Sequence, residues 1–143
     1  MKIDVVRLHE NAILPTRGSS GAAAFDLYAC LESDIAIAPG YSRLIRTGFS
    51  FAIPEGYFGG LYARSGLSVK HGMRPSNCVG VIDEDYRGEV QVSLYNDGQQ
   101  QFVLRHGERI AQLIIQKYED IELVEVDELP QTIRGSGGFG STG

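Results

Sequence analysis

The apolar residues of this chain come in short runs, and nearly every run keeps the two-residue period of a strand. Val90, Val92 and Leu94 alternate with Gln91, Ser93 and Tyr95, so the two sets face opposite sides of a sheet. Ile45, Phe49, Phe51 and Ile53 share one parity over a longer extended segment, which Pro54-Glu55-Gly56 stops. Residues 3–8, 22–29, a stretch from Ile35, residues 57–63 and residues 121–126 read as further strands. Glu108 to Tyr118 is apolar on both parities, with Ala111, Leu113 and Ile115 on one and Ile110 and Ile114 on the other. A strand of that kind is buried on two sides. One helical turn, Leu67 to His71 closed by Gly72, is the only helix the pattern supports. Short strands punctuated by 18 glycines predict an all-β barrel or sandwich.

A length of 143 residues suffices for one domain with a proper core and is too short for two. No apolar run nears the roughly 18 residues of a membrane span. The opening Met1-Lys2-Ile3-Asp4 lacks the apolar region of an export signal, so a cytoplasmic, membrane-free protein is expected. Cys30 and Cys78 are far apart and His9, His71 and His106 are scattered. Two buried reduced thiols are expected in place of a disulfide, and no His/Cys metal cage. A net charge of -5 without a basic stripe repels phosphate backbones, which argues against nucleic acid as a partner.

The most distinctive stretch is Gly80-Val81-Ile82-Asp83-Glu84-Asp85-Tyr86-Arg87-Gly88-Glu89. An apolar run, an acidic bend and the alternating run from Val90 read as a β-hairpin. Extended backbone puts Asp83 and Asp85 on one face and Glu84 on the other. The acids read either as a solvated tip or as a general base for water or a cation ligand. Tyr86 is a hairpin aromatic or a ring that stacks on a sugar.

Arg64-Ser65-Gly66 lines up a guanidinium, a hydroxyl and an unhindered N–H, which can wrap a phosphate or simply end a strand. Gln112 sits inside the two-sided strand and needs partners, from backbone or ligand. Asp26, within an apolar stretch, makes a turn bond, an ion pair or a contact to a magnesium shell. The chain ends Arg134-Gly-Ser-Gly-Gly-Phe139-Gly140-Ser141-Thr142-Gly143. Such a segment builds no core; it reads as a disordered tail or as a clamp on something flat and anionic. Its Gly-x-Gly-x-x-Gly spacing is no dinucleotide fingerprint, because no helix can follow.

The order of these blocks is more specific than any one of them. Ala23-Ala24-Phe25-Asp26-Leu27, Ala63-Arg64-Ser65-Gly66-Leu67, Gly80 to Glu89, Gly107 to Leu113 and Arg134 to Gly143 resemble, in sequence, the five motifs of the trimeric dUTP diphosphatase (dUTPase) family. Ala24 stands where the family usually has Gly, and Ala63 where Pro is common. The resemblance implies a distorted β-barrel or jelly roll, the dUTPase-like β-clip, in a homotrimer with an exchanged C-terminal arm. Residues 1–133 would form the β-barrel domain and 134–143 the Gly-rich arm closing over a neighbour's site. Each site would draw the 80–89 block from one subunit, the second and fourth motifs from another, and the arm from the third.

The implied activity is hydrolysis of dUTP to dUMP and pyrophosphate with Mg²⁺, keeping uracil out of DNA and supplying dUMP for dTMP synthesis. By resemblance Asp83 is the base for the attacking water and Tyr86 packs under the deoxyribose. Asn77 with the backbone of Gly80, Val81 and Ile82 forms the uracil slot. Arg64, Ser65, Gly66 and Gln112 cradle phosphates; Arg134, Gly140, Ser141 and Thr142 reach the terminal phosphates, and Phe139 covers the base. Asp26 meets Mg²⁺ through water. The rivals are a dCTP deaminase of the same fold, which would release ammonia, and a nucleotide-gated switch for a regulatory protein partner.

Overall fold

The computed structural model describes residues 1–138. In chain order its elements are β1 (Val5–Arg7), β2 (Phe25–Tyr28), β3 (Ile35–Ile37), β4 (Ser42–Arg46), β5 (Phe49–Phe51) and β6 (Tyr57–Tyr62). Then come α1 (Ser65–His71), β7 (Met73–Pro75), β8 (Gly80–Ile82), β9 (Gln91–Asn96), β10 (Phe102–Leu104) and β11 (Arg109–Lys117). The strands pair antiparallel in four sheets: β1-β5, β10-β3, β2-β11-β6-β8 and β4-β9-β7. Among the described residues no sheet closes on itself, so the architecture is all-β without a closed barrel.

β11 is the central strand, flanked by β2 and β6. Its apolar residues on both parities are explained by this position: Ile110, Ala111 and Leu113 are all buried. Phe49, Leu27, Ile45, Met73 and Leu94 fill the space between the sheets with at most 1% exposure. Each such side chain contributes about 1.5–3 kcal/mol by leaving water.

The structure corrects several expectations. Residues 80–89 are not the bend of a hairpin, because β8 pairs with β6 while β9 pairs with β4 and β7. The segment 83–90 instead crosses from one sheet to another. Two bonds pull its exit onto the β4–β5 connection, from Val90 N to Phe49 O (2.9 Å) and from Thr47 Oγ1 to Val90 O (2.6 Å). Asn96-Asp97-Gly98 likewise joins strands of different sheets. There the fully buried Asn96 side chain accepts from Gly98 N (2.9 Å) and donates to Ile37 O and Gln100 O (both 2.8 Å). A turn-forming sequence settles local backbone, and buried side chains decide which strand pairs with which.

The extended run around Ile45 to Ile53 is two strands in different sheets, although its four same-parity residues are all buried as expected. The break is Thr47-Gly48, where Gly48 has φ +77°. A Cβ there would lie 2.4 Å from the Ala12 Cβ. Gly48→Ala combines that collision with a left-handed backbone. It should cost about 2–4 kcal/mol, read as a fall of roughly 5–10 °C in Tm. An unchanged Tm would contradict the packing described.

Strand β7 escaped the sequence reading because Pro75 ends it. Helix α1 begins at Ser65, two residues earlier than expected, and stops at Gly72 in the left-handed conformation with φ 67°. Residues 121–126 form no strand, and Leu123 is 90% and Val124 69% exposed. Strand periodicity there finds no partner among the described residues. Cys30 is half-buried, and Cys78 is exposed where burial was expected; both are free thiols.

Candidate active site

Crossing between sheets leaves residues 83–90 to be fixed by their own side chains. Glu84 turns inward, and its carboxylate accepts from Gly56 N (2.5 Å) and from the Tyr118 hydroxyl (3.0 Å). The Glu84 carbonyl accepts from Arg87 (2.5 Å), and Tyr86 N donates to Asp83 O (3.2 Å). The Tyr118 hydroxyl is pushed above its ordinary range, chiefly because it donates to the Glu84 carboxylate.

Asp83 and Asp85 are exposed and take part in no ion pair among the described residues. The two-face split expected of an extended run does not apply, because Tyr86 N closes a turn onto Asp83 O; Glu84 anchors the segment while Asp83 and Asp85 stay exposed.

Asp83 opens onto a cavity of about 410 Å³ lined by Asn77, Gly80, Val81, Ile82 and Tyr86, among others. Ile82 pairs with Gly59 and Gly80 with Leu61. Among the described residues the edge of β8 away from β6 carries no strand partner, so its peptide groups can meet a ligand. Asn77 is exposed just before this strand, with its amide nitrogen placed 3.2 Å from where a Gly80 Cβ would stand. Tyr86 is 45% exposed, and its hydroxyl donates to Glu89 O (3.1 Å).

A second group forms where β2, β6 and β11 meet. Gln112 lies opposite both Asp26 and Tyr62, and its amide donates to Ala63 O (2.7 Å). Arg64 follows at once. Its Nε is 2.7 Å from Asp26 Oδ1, and Arg109 reaches Asp26 Oδ2 at 3.2 Å. Asp26 is thus an ion-pair partner, one of the three roles open to it in the sequence. Ser65 and Gly66 are exposed first residues of α1, and a Cβ on Gly66 would meet nothing within 4 Å. No packing among the described residues requires glycine there.

The two groups do not meet within one chain. Register puts Asp83 beside the start of β6, near Phe58, whereas Arg64 follows its far end. About six residues at roughly 3.3 Å each separate them by about 20 Å. None of Arg64, Ser65, Gly66 and Gln112 lines the Asp83 cavity. Arg134 is exposed, and Phe139, Gly140, Ser141 and Thr142 lie outside the described residues.

Three residues at these sites were missed from sequence. Arg109 stands beside the fourth block, and its neighbour Gln112 was the available signal. Glu84 reads in the sequence, with the other acids, as a solvated tip or as a functional carboxylate, and its anchoring role on Gly56 and Tyr118 is not among those readings. Glu89 contacts Arg46 (2.9 Å) and Gly48 N (2.8 Å), and nothing in the sequence links it to residues some forty positions away. Burial pushes the Glu89 carboxyl up, but bonds from Arg46, Gly48 and Gln91 outweigh that and hold it below its ordinary range. A lowered folded-state value means stability present above the ordinary glutamate value of 4.5 and lost as pH falls through the folded value. Glu89→Gln should therefore be less stable than wild type near about pH 7, with the gap narrowing as pH falls below 4.5 in urea melts. A gap that stays constant would contradict this account.

Residues 10–143 match the dUTPase family model. The chain belongs to the dUTPase family. It is 45% identical over 143 residues to the deoxyuridine 5'-triphosphate nucleotidohydrolase of Finegoldia magna, covering all of this chain and 99% of that one. The Wolinella succinogenes enzyme of the same name is 47% identical, over all of this chain and 95% of its own. A mutant of the Staphylococcus phage 80alpha dUTPase superposes with a TM-score of 0.89 at 28% identity, covering 99% of this chain and 98% of that one. Another 80alpha mutant carries dUpNHpp and matches at 0.86, with 28% identity and 99% and 98% coverage. A mutant of the S. aureus phage phi11 dUTPase, whose structure details the coordination of a structural Mg(II) ion, matches at 0.82, with 25% identity over 92% of this chain and all of that one. The all-β arrangement is the jelly roll of dUTPases, and a family member of this kind is a hydrolase.

Proposed function

We propose that this chain hydrolyses dUTP to dUMP and pyrophosphate at sites built by a homotrimer. The observation that carries the reading is the unpaired Asp83 at the mouth of a cavity walled by the free edge of Gly80, Val81 and Ile82. Backbone donors and acceptors on such an edge complement uracil and leave groups unpaired against cytosine, a mismatch worth far more than a methyl. Asn77 completes the slot, and Tyr86 packs under the deoxyribose, where a 2′-hydroxyl would clash.

Asp83 orients a water and takes its proton as the water oxygen bonds to the α-phosphorus. The bond from that phosphorus to the bridging oxygen breaks, and its electron pair leaves with pyrophosphate. Arg64, Ser65, Gly66 and Gln112 of a neighbouring subunit hold the phosphates, which supplies positive charge where the leaving group gains negative charge. The separation of about 20 Å within one chain favours a neighbour as their source. The exposed apolar residues Ile121, Leu123, Val124 and Val126 favour an arm that leaves its own body after Tyr118. Arg134, Ser141 and Thr142 of that arm reach the terminal phosphates, with Gly140 allowing close approach, and Phe139 covers uracil.

Mg²⁺ would be held mainly by the triphosphate and not by a cage of protein side chains. Among the described residues no three His, Cys, Asp or Glu side chains form a metal cage. Asp26 nevertheless fits as a partner for metal-bound water: an ionised carboxylate has about four acceptor sites, and Arg64 and Arg109 engage one on each oxygen. The bound ion would offset charge on the phosphate chain. No helix among the described residues is long and apolar enough to cross a membrane, and action on a free nucleotide in the cytoplasm is part of this reading.

The test is to incubate the purified protein with dUTP, dTTP, dCTP and UTP in Mg²⁺ and follow pyrophosphate. The reading predicts release from dUTP far ahead of the other three. Ammonia from dCTP, or no preference among the four, would overturn it.

A further inference from the structure

Among the described residues Tyr86 belongs to a segment with no hydrogen-bonded strand on either side, so its ring is held only where that segment is tied to the strands around it. We propose that Glu89, braced by Arg46 and Gly48, is a positioning residue that fixes the Tyr86 ring and so sets discrimination between deoxyribose and ribose. The inference rests on the reading of Tyr86 as the sugar platform.

Three features carry it. The Tyr86 hydroxyl donates to the carbonyl of Glu89 at 3.1 Å, so where Glu89 sits determines where the ring ends. The Glu89 side chain is only 10% exposed and is bound at both oxygens. Oε1 accepts from Gly48 N at 2.8 Å, and Oε2 accepts from Arg46 Nε at 2.9 Å and Gln91 Nε2 at 3.3 Å. Those partners stand on β4, on β9 and on the tight turn whose glycine has φ +77°. The ring's position is thereby referred to two strands and a turn, which move less than the segment itself.

Gly88 closes the other side of the ring. A Cβ there would lie 2.4 Å from the Tyr86 hydroxyl oxygen and 2.5 Å from Cζ. Only glycine lets the ring lie back against the backbone. Tyr86 is therefore held between a bond at its tip and a close contact beneath it, leaving its outer face for the sugar. Glu89 also borders the Asp83 cavity, but Gly48, Arg46 and Gln91 occupy both of its carboxylate oxygens, so it acts through the ring and not on substrate.

Discrimination, defined as kcat/KM for dUTP over that for UTP, is the readout. A role in folding alone lowers both numbers together and leaves the ratio unchanged. Glu89→Ala is expected to lower the ratio about tenfold, with Glu89→Gln recovering part of it because an amide oxygen still accepts from Gly48. Gly88→Ala displaces the ring without touching Glu89, and it should lower the ratio in the same direction even where Glu89→Ala fails to fold. Tyr86→Ala run alongside separates the two layers of the argument. If Tyr86→Ala lowers the ratio while Glu89→Ala, Glu89→Gln and Gly88→Ala keep the wild-type value, the positioning role is wrong and the sugar platform stands. If Tyr86→Ala leaves the ratio unchanged, the platform itself is wrong and the inference falls with it.

Discussion

Asp83→Asn should lower kcat on dUTP by about 10³-fold while the affinity for dUpNHpp stays within about threefold. The expectation rests on what Asp83 does not do in the fold. It carries no ion pair, and the segment around it is held by Glu84, Arg87 and Glu89. An amide of the same shape therefore leaves the backbone where it was. Asparagine can still orient a water through its oxygen but cannot take the proton, so the loss falls on the chemical step and not on binding. Turnover under saturating dUTP and calorimetric titration of the analogue measure the two halves separately. A variant that turns over at the wild-type rate would refute the base assignment; one that no longer binds would mean Asp83 shapes the pocket instead.

Deleting residues 135–143 should reduce kcat/KM by about 10²-fold without changing the size of the assembly in sedimentation. The deleted stretch takes Phe139, Ser141 and Thr142 with it, and it holds no strand among the described residues. Ending the chain after Tyr118 is a different experiment, because it also removes the exposed Ile121, Leu123, Val124 and Val126. That longer deletion should lower the oligomeric state. Full activity in the shorter truncation would show that no arm closes on the nucleotide.

Local features of the fold were legible where side-chain period alone decides. β11, β9 and β6 appear as expected, because burial on one or both faces is written in alternating residues. The αL glycine ending α1 was readable for the same reason: Gly72 is needed by its own backbone angle. Strand pairing was not legible. Gly80 to Glu89 and Asn96 to Gly98 look like hairpin bends, and both cross between sheets because Glu89, Thr47 and Asn96 bind residues some forty to sixty positions away. Such partners leave no periodic trace.

Much of the site was legible as a set of motifs, while its geometry was not. Arg64, Gln112 and Asp26 do come together, through the shared register of β2, β6 and β11. The Arg109 contact that makes Asp26 the centre of two ion pairs became visible only in three dimensions. The distance between Asp83 and Arg64 depends on which end of β6 each one borders, and sequence spacing carries no such information.

The central claim is that Asp83 and Arg64 of the same site come from different chains. The direct measurement uses two variants, Asp83→Asn and Arg64→Ala, each inactive alone, co-refolded in equal amounts and assayed on dUTP. In a trimer of randomly mixed chains about a quarter of the sites would pair an intact Asp83 with an intact Arg64, so activity should return to about a quarter of wild type. If the mixture stays as inactive as its components while forming mixed trimers, both residues serve one chain's site and the account is contradicted.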